Sequence, residues 1–209
     1  MKIKLDKLKS ILKTNKQIII FLLGLSIIAV VAGAFYITIL NKTDHSLIEE
    51  SISGFFNNIN NNKLNYGLSF KNAILNNIGF ILLIWLLGIS VIGIPIIIFL
   101  FFSKVFTLGF SISSIIFNYK LKGTLLSLFY VFPHHIINIY IYIVLIAYAI
   151  SLSLKIIDSI IKRKIIDFKL VMNKYLYVLL ISFIIIIITT LLEVFMVPSL
   201  MKFIMSVIK

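Results

Sequence analysis

Residues 72–103 read NAILNNIGFILLIWLLGISVIGIPIIIFLFFS, a run of mostly apolar side chains without Lys, Arg, Asp or Glu. Three further runs without these charges cover residues 17–41, 123–154 and 175–192. A bilayer core about 30 Å thick is crossed by roughly 20 apolar residues in a helix. Each run approaches or exceeds that length, so the sequence predicts an all-α, polytopic membrane protein.

The overall composition also indicates a protein that lies in a lipid bilayer. Only 13% of the 209 residues are charged and 61% are hydrophobic, whereas a soluble domain carries about 25% charged residues. The net charge of +13 comes from cations beside the apolar runs. We interpret them as topology signals and contacts with membrane lipids, and we expect no nucleic-acid partner. Cysteine is absent, which excludes disulfides and thiolate metal sites.

The first apolar run follows a basic leader, residues 1–16, which carries six lysines. We expect residues 17–40 to form transmembrane helix 1, with the leader in the cytoplasm. The alternative is a cleaved signal peptide, because Ala32-Gly33-Ala34 fits a cleavage pattern. The apolar stretch is longer than the roughly 7 to 15 residues of a signal peptide, which favours a retained helix.

Residues 70–197 are expected to form a four-helix membrane core. Gly93-Ile94-Pro95 divides helix 2 from helix 3, since proline disfavours a helical residue before it and starts a helix well. Pro133 separates a short piece from helix 4, and that piece is too short to span, so we expect it to be re-entrant or interfacial. The predicted ranges are 70–92 and 95–117 for helices 2 and 3, 124–132 for the short piece, 136–154 for helix 4, and 175–197 for helix 5, ending at Pro198 before a short tail, 198–209.

The distribution of cations sets the expected orientation. The leader holds six, and the predicted loop 155–174 holds six more, whereas the tail holds two. The positive-inside rule places the two cation-rich segments in the cytoplasm. We therefore expect a multi-pass cell-membrane protein with a cytoplasmic N-terminus and an extracytoplasmic C-terminus.

The expected extracytoplasmic segment, 41–69, contains an amphipathic pattern. Ser46 with Glu49 fits a capping box at its start. A short helix of this kind is not stable alone in water, so its apolar face must be covered. We expect that face to contact either the outer lipid surface or a partner protein. Its apolar side chains recur at helical spacing and are the candidate partner-binding residues: Ile48, Ile52, Phe55, Phe56 and Ile59.

Lys104, His134 and Asn138 are the candidate polar residues inside the membrane. Lys104 lies nine residues beyond Pro95, roughly 14 Å along the helix and near the midplane, where a cation is a functional hypothesis by default. A snorkelling side chain or a shifted register is the alternative. A polar helix start explains His134 and Asn138 better than a metal site does, because adjacent histidines point to different faces.

Catalytic and cofactor motifs are missing from the sequence. We find no nucleophile-base-acid set, P-loop, dinucleotide fingerprint or metal motif, so we expect no enzyme, no catalytic residue, no cofactor and no metal. Glu193, near the end of helix 5, is expected to snorkel to the interface. Small residues four apart, such as Ala29 with Gly33, permit close helix contacts within a bundle or in a homo-oligomer.

Four groups of residues between Phe70 and Ser159 form a recognisable series: Phe70-Lys71-Asn72, LLIWLLGIS at 82–90 with Gly93-Ile94-Pro95, Lys104 with Leu108-Gly109-Phe110, and Pro133-His134. In their order and spacing these motifs resemble the stage II sporulation protein M family. At two positions this chain differs from the wider pattern, with His135 where Gly is common and Asn138 where an acid is common.

The resemblance implies a membrane protein of engulfment in endospore-forming bacteria, located at the septal membrane. It implies a non-catalytic scaffold that anchors the peptidoglycan-degrading stage II sporulation proteins D and P. A small-solute or ion transporter or channel subunit is the alternative, with Lys104 as an intramembrane charge and His134 and His135 at its mouth. The lack of an internal repeat disfavours a transporter.

Overall fold

The structure is a computed structural model that describes residues 15–131, 134–163 and 167–207. These residues are helical with no strand, and five helices are long and apolar enough to cross a membrane. The predicted fold class is confirmed. Most of the leader and Pro133 lie outside the described residues. The helices are α1 (Lys16–Tyr36), α2 (Lys42–Asn60), α3 (Tyr66–Gly88), α4 (Gly93–Val131), α5 (His134–Lys162), α6 (Phe168–Leu191) and α7 (Val197–Val207).

Helix α5 is the centre of the bundle. It packs against α1, α3, α4 and α6, and its side chains Leu145, Ile146 and Ala149 are fully buried. The other spanning helices keep large apolar side chains exposed, for example Ile27 on α1 and Leu180 on α6. Such an outer surface fits a helix bundle whose surrounding solvent is lipid rather than water.

Helices α1 and α4 approach each other closely through glycine. A side chain at Gly33 would overlap the backbone carbonyl of Phe106, and one at Gly109 would overlap the carbonyl of Val30. Small residues permit this backbone contact between membrane helices. Helix α1 is therefore packed into the bundle, as expected of a helix with this spacing of small residues.

The turn between α3 and α4 lies earlier than predicted. Helix α3 covers Tyr66–Gly88 rather than 70–92, because the Asn65 side chain caps it by accepting a 3.0 Å hydrogen bond from the Leu68 backbone N–H. Helix α4 begins at Gly93, which places Pro95 in the first turn, where proline is well tolerated. The predicted division of this long apolar run into two helices is correct.

Helix α4 contains a sharp reversal at Lys120, whose φ is 51° and ψ is −127°. Gly123 then lies so close to the Ile115 carbonyl that a side chain there would overlap it. The return arm, residues 121–131, is thus a short helix folded back on the end of the longer arm. It corresponds to the piece predicted at 124–132, whose depth in the bilayer stays a prediction.

The predicted end of helix 5 is wrong. Helix α6 does not end before Pro198 but continues through a π-helical turn, Leu192–Met196, into α7. Such a turn accommodates a proline that cannot donate a backbone hydrogen bond. The tail predicted at 198–209 is therefore helical as far as residue 207.

The predicted loop 155–174 is mostly helix. Helix α5 continues to Lys162, and α6 begins at Phe168, where the Asp167 side chain accepts a 3.0 Å hydrogen bond from the Leu170 backbone N–H. The prediction equated the first charged residue with the end of the helix. A helix does not need to end where it leaves the membrane, because polar residues can continue it into water.

Candidate functional site

Asn77 of α3 joins three helices inside the bundle. Its amide nitrogen donates hydrogen bonds to Glu193 Oε2 at 3.2 Å and to Thr190 Oγ1 at 3.3 Å. Its carbonyl oxygen accepts one from the Tyr142 hydroxyl of α5, also at 3.3 Å. Asn77 is only 5% exposed, and the three hydrogen bonds of its side chain all go to residues outside α3.

Lys104 lies beside this group and faces the bundle. Its ammonium sits over the Phe80 ring, 5.4 Å from the centroid, a distance at which the ring face attracts a cation. The Phe80 ring packs edge-on against Tyr142 at 4.8 Å. Glu193 and His135 are both within electrostatic range of the ammonium, without a direct ion pair to Glu193. The cation therefore lies against an aromatic face inside the bundle, within electrostatic range of an acid.

A second polar contact adjoins the first. Thr189 donates its hydroxyl hydrogen bond to the Asn138 side-chain oxygen, and both side chains are buried. Thr189 precedes Thr190, so the Asn138 contact and the Asn77 contact lie side by side on α6. We call the whole group the polar cluster; it comprises Asn77, Lys104, His134, His135, Asn138, Tyr142, Thr189, Thr190 and Glu193.

The two histidines form the least satisfied part of the polar cluster. His134 is fully buried, and neither of its ring nitrogens has a hydrogen-bond partner. The His135 ring lies 4.0 Å from it and 5.2 Å from the Tyr130 ring of the return arm. Among the described residues, no group of three or more metal-binding side chains is found. The pair is thus packed against aromatic rings.

The structure brings together the three candidates that the sequence identified separately. Lys104, His134 and Asn138 all belong to the polar cluster. The expectation for Glu193 was wrong, because its carboxylate turns toward Asn77 and the bundle rather than to the interface. Asn77 and Thr190 were missed. The available signal for Asn77 was an amide within a long apolar run, which needs a partner when it is buried in a membrane.

The face of α2 that was predicted to need a cover is covered mainly by this chain. Phe56 is 4% exposed and Ile59 is 3% exposed. They pack in one apolar cluster with Leu126 of the return arm and, from α7, with Val197, Met201 and Ile204. Neither lipid nor a partner is needed for these two residues, so the expectation that they meet one is corrected.

The rest of that α2 face borders an open apolar groove of about 450 Å³. Ile48 and Ile52 line it and are half-buried, and Phe55 is 39% exposed. Leu47, which the periodicity did not include, is 57% exposed at the same groove. The capping box was also wrong, because α2 begins at Lys42 and Ser46 bonds to the Thr43 carbonyl within the helix.

The comparison with protein families gives one result. The family model described as Stage II sporulation protein M matches residues 17–198, which includes the five apolar helices up to Pro198. Neither a curated protein nor a solved structure matches the chain. A match over most of the sequence, from α1 to the start of α7, shows the family rather than a shared fragment. The chain belongs to the stage II sporulation protein M family.

Proposed function

We propose that this protein is a non-catalytic membrane scaffold that anchors peptidoglycan-degrading proteins at the septal membrane during engulfment. Its family supports a sporulation-related membrane protein. The observation that supports the scaffold role is that the polar side chains inside the bundle bond to one another. Asn77, Asn138 and Glu193 are hydrogen-bonded between helices, which stabilises one arrangement of the bundle rather than opening a reaction site.

The proposed partner-binding surface is the rim of the α2 groove. Leu47 and Phe55 remain exposed there and Ile48 is half-buried, whereas Phe56 and Ile59 are part of the fold. The groove is continued by Phe110 and Ser114 of α4. An apolar membrane-anchoring segment of a partner fits this chemistry. The proposed partners are the stage II sporulation proteins D and P.

The test is the location of the peptidoglycan-degrading proteins in sporulating cells. We expect the paired variant Leu47→Asp with Phe55→Asp to enter the membrane normally and to leave those proteins dispersed. The matched control, Ser46→Asp with Asn57→Asp, adds the same charges to exposed positions of α2 outside the groove. Normal location with the groove variant would exclude this surface, and normal location in a deletion strain would exclude the scaffold.

A transporter or channel subunit is the second candidate, and one observation favours it. Lys104 and Glu193 place opposite charges within electrostatic range inside the bundle, and charged residues inside membrane spans often mark ion pathways. The discriminating variant is Lys104→Leu in liposomes that contain the purified chain. A transporter loses flux with this substitution while the bundle still assembles, whereas a scaffold shows no flux to lose.

A further inference from the structure

A cavity of about 580 Å³ opens between α5 and α6, at the end of the bundle opposite to α2 and α7. Residues of the first three turns of α6 form one wall, and the α5 residues Tyr148, Ser151 and Lys155 form the other. Asn15, directly before α1, completes the lining. The cavity thus lies beside the starts of α1 and α6 and beside the point on α5 where charged residues begin.

The position of this cavity relative to the membrane follows from the sequence. The uncharged run 123–154 ends directly before Lys155, and the uncharged run 175–192 begins directly after Lys174. The run 17–41 begins two residues after Asn15. All three boundaries meet at one cavity, so it lies at the level where hydrocarbon gives way to lipid headgroups. The cavity lies at this level whichever side of the membrane it faces.

The lining of the cavity is cationic on one side and apolar on the other. Lys155, Lys169 and Lys174 contribute three positive charges, and Asp167 is the acid among the lining residues. The Asp167 carboxylate already accepts the hydrogen bond of the Leu170 N–H at the start of α6. Leu152 and Val171 supply apolar surface next to the lysines. A net positive site beside apolar surface suits an amphipathic anion.

We propose that this cavity binds a phosphate-bearing anion, the headgroup of an anionic phospholipid, with Lys155, Lys169 and Lys174 contacting the phosphate. Basic pockets between membrane helices are suited to such headgroups. The volume lies within the roughly 300 to 1,000 Å³ of small-molecule sites. The acyl chains continue along the lipid-facing surface of α6. The site is separate from the α2 groove and does not rest on the scaffold proposal.

The experiment uses the purified full chain in a neutral detergent, titrated with phosphatidylglycerol, phosphatidylcholine or inorganic phosphate, with bound lipid counted by native mass spectrometry. The test variant carries Lys155→Gln, Lys169→Gln and Lys174→Gln. The matched control carries Lys16→Gln, Lys162→Gln and Arg163→Gln, which removes three charges near the same end of the bundle but outside the cavity lining. A third variant replaces the three cavity lysines by arginine.

We expect saturable phosphatidylglycerol binding that is weaker by at least about tenfold in the cavity variant, because each cation near a headgroup contributes favourably. The control and the arginine variant should bind nearly as the parent does. Competition by inorganic phosphate would identify the phosphate group alone as the ligand, and its absence would identify the lipid. Equal loss in the cavity and control variants, or equal binding of phosphatidylcholine, would overturn the proposal.

Discussion

Asn77 and Glu193 are 116 residues apart in the chain and are joined by a hydrogen bond of 3.2 Å between the amide nitrogen and a carboxylate oxygen. This bond connects α3 to the π-helical turn that follows α6. A π-helical turn inserts an extra residue into the helical repeat and is frequent at functional sites. Here it carries the acid that faces Asn77 and lies within electrostatic range of Lys104.

Glu193 and Lys104 should be energetically coupled. Glu193→Leu removes one of the two acceptors of the Asn77 amide, leaving Thr190 as the other, and takes away the negative charge within electrostatic range of the Lys104 cation. We expect each single variant, Glu193→Leu or Lys104→Leu, to lower the free energy of unfolding in detergent by about 1 to 2 kcal/mol. The double variant should lose less than the sum of the two, as a double-mutant cycle measures.

A control separates the charge from the hydrogen bond in that cycle. Glu193→Gln keeps an oxygen acceptor for Asn77 and removes the negative charge. When Lys104 is present, Glu193→Gln should therefore lower the free energy of unfolding less than Glu193→Leu does. Strict additivity of the Lys104 and Glu193 substitutions would contradict the coupling.

Gly33 should tolerate no side chain, whereas Gly24 on the same helix should tolerate one. The methyl group of Gly33→Ala would overlap the Phe106 carbonyl, and nothing lies within 4 Å of a methyl group at Gly24. We expect Gly33→Ala to destabilise the bundle by about 1 to 3 kcal/mol. Gly24→Ala should be neutral or slightly stabilising. Unfolding in detergent measures both, and equal effects would rule out the close contact between α1 and α4.

His134 should contribute nothing to stability through hydrogen bonding. Both ring nitrogens are buried without a partner, and replacing an unpaired buried polar group by an apolar one of similar size is often neutral or stabilising. We expect His134→Leu to unfold at the same or a higher detergent or heat midpoint than the parent. Asn138→Leu is the comparison, because it removes the hydrogen bond between Thr189 of α6 and Asn138 of α5 and should destabilise. A large loss of stability in His134→Leu would mean that the His134 ring makes a stabilising hydrogen bond, which contradicts the unpaired ring nitrogens.

Phe55 and Phe56 should behave differently although they are neighbours in sequence. Phe56 is buried against α7 and the return arm, and Phe55 is 39% exposed. Phe56→Ala should cost about 3 kcal/mol of stability through the cavity that it leaves. Phe55→Ala should leave the unfolding curve nearly unchanged and affect only recruitment of a partner. Similar stability losses in both variants would place both side chains in the core.

The helices were predictable because lipid imposes a simple rule on each one separately. About 20 apolar residues are needed to span, and the four uncharged runs obey it. Helix ends were less predictable, because the predicted ends follow the edges of the apolar runs, whereas Asn65 and Asp167 cap helices outside those runs. The spacing of apolar and polar residues does not indicate the π-helical turn before Pro198.

Three residues of the polar cluster were predictable from the sequence, but their arrangement was not. Lys104, His134 and Asn138 are conspicuous because polar groups are costly in hydrocarbon. Their contacts depend on how α3, α5 and α6 pack, which one sequence does not specify. Phe56 and Ile59 show the same limit, because a periodic apolar face indicates that it must be covered without indicating by what.

The most direct measurement of the scaffold claim is a pull-down of a tagged full-length copy from sporulating cells in mild detergent. The parent should recover peptidoglycan-degrading proteins, and the variant Leu47→Asp with Phe55→Asp should recover few of them at equal membrane yield. The control Ser46→Asp with Asn57→Asp should recover them as the parent does. Recovery of no such protein with the parent, in cells that are engulfing, would contradict a scaffold function.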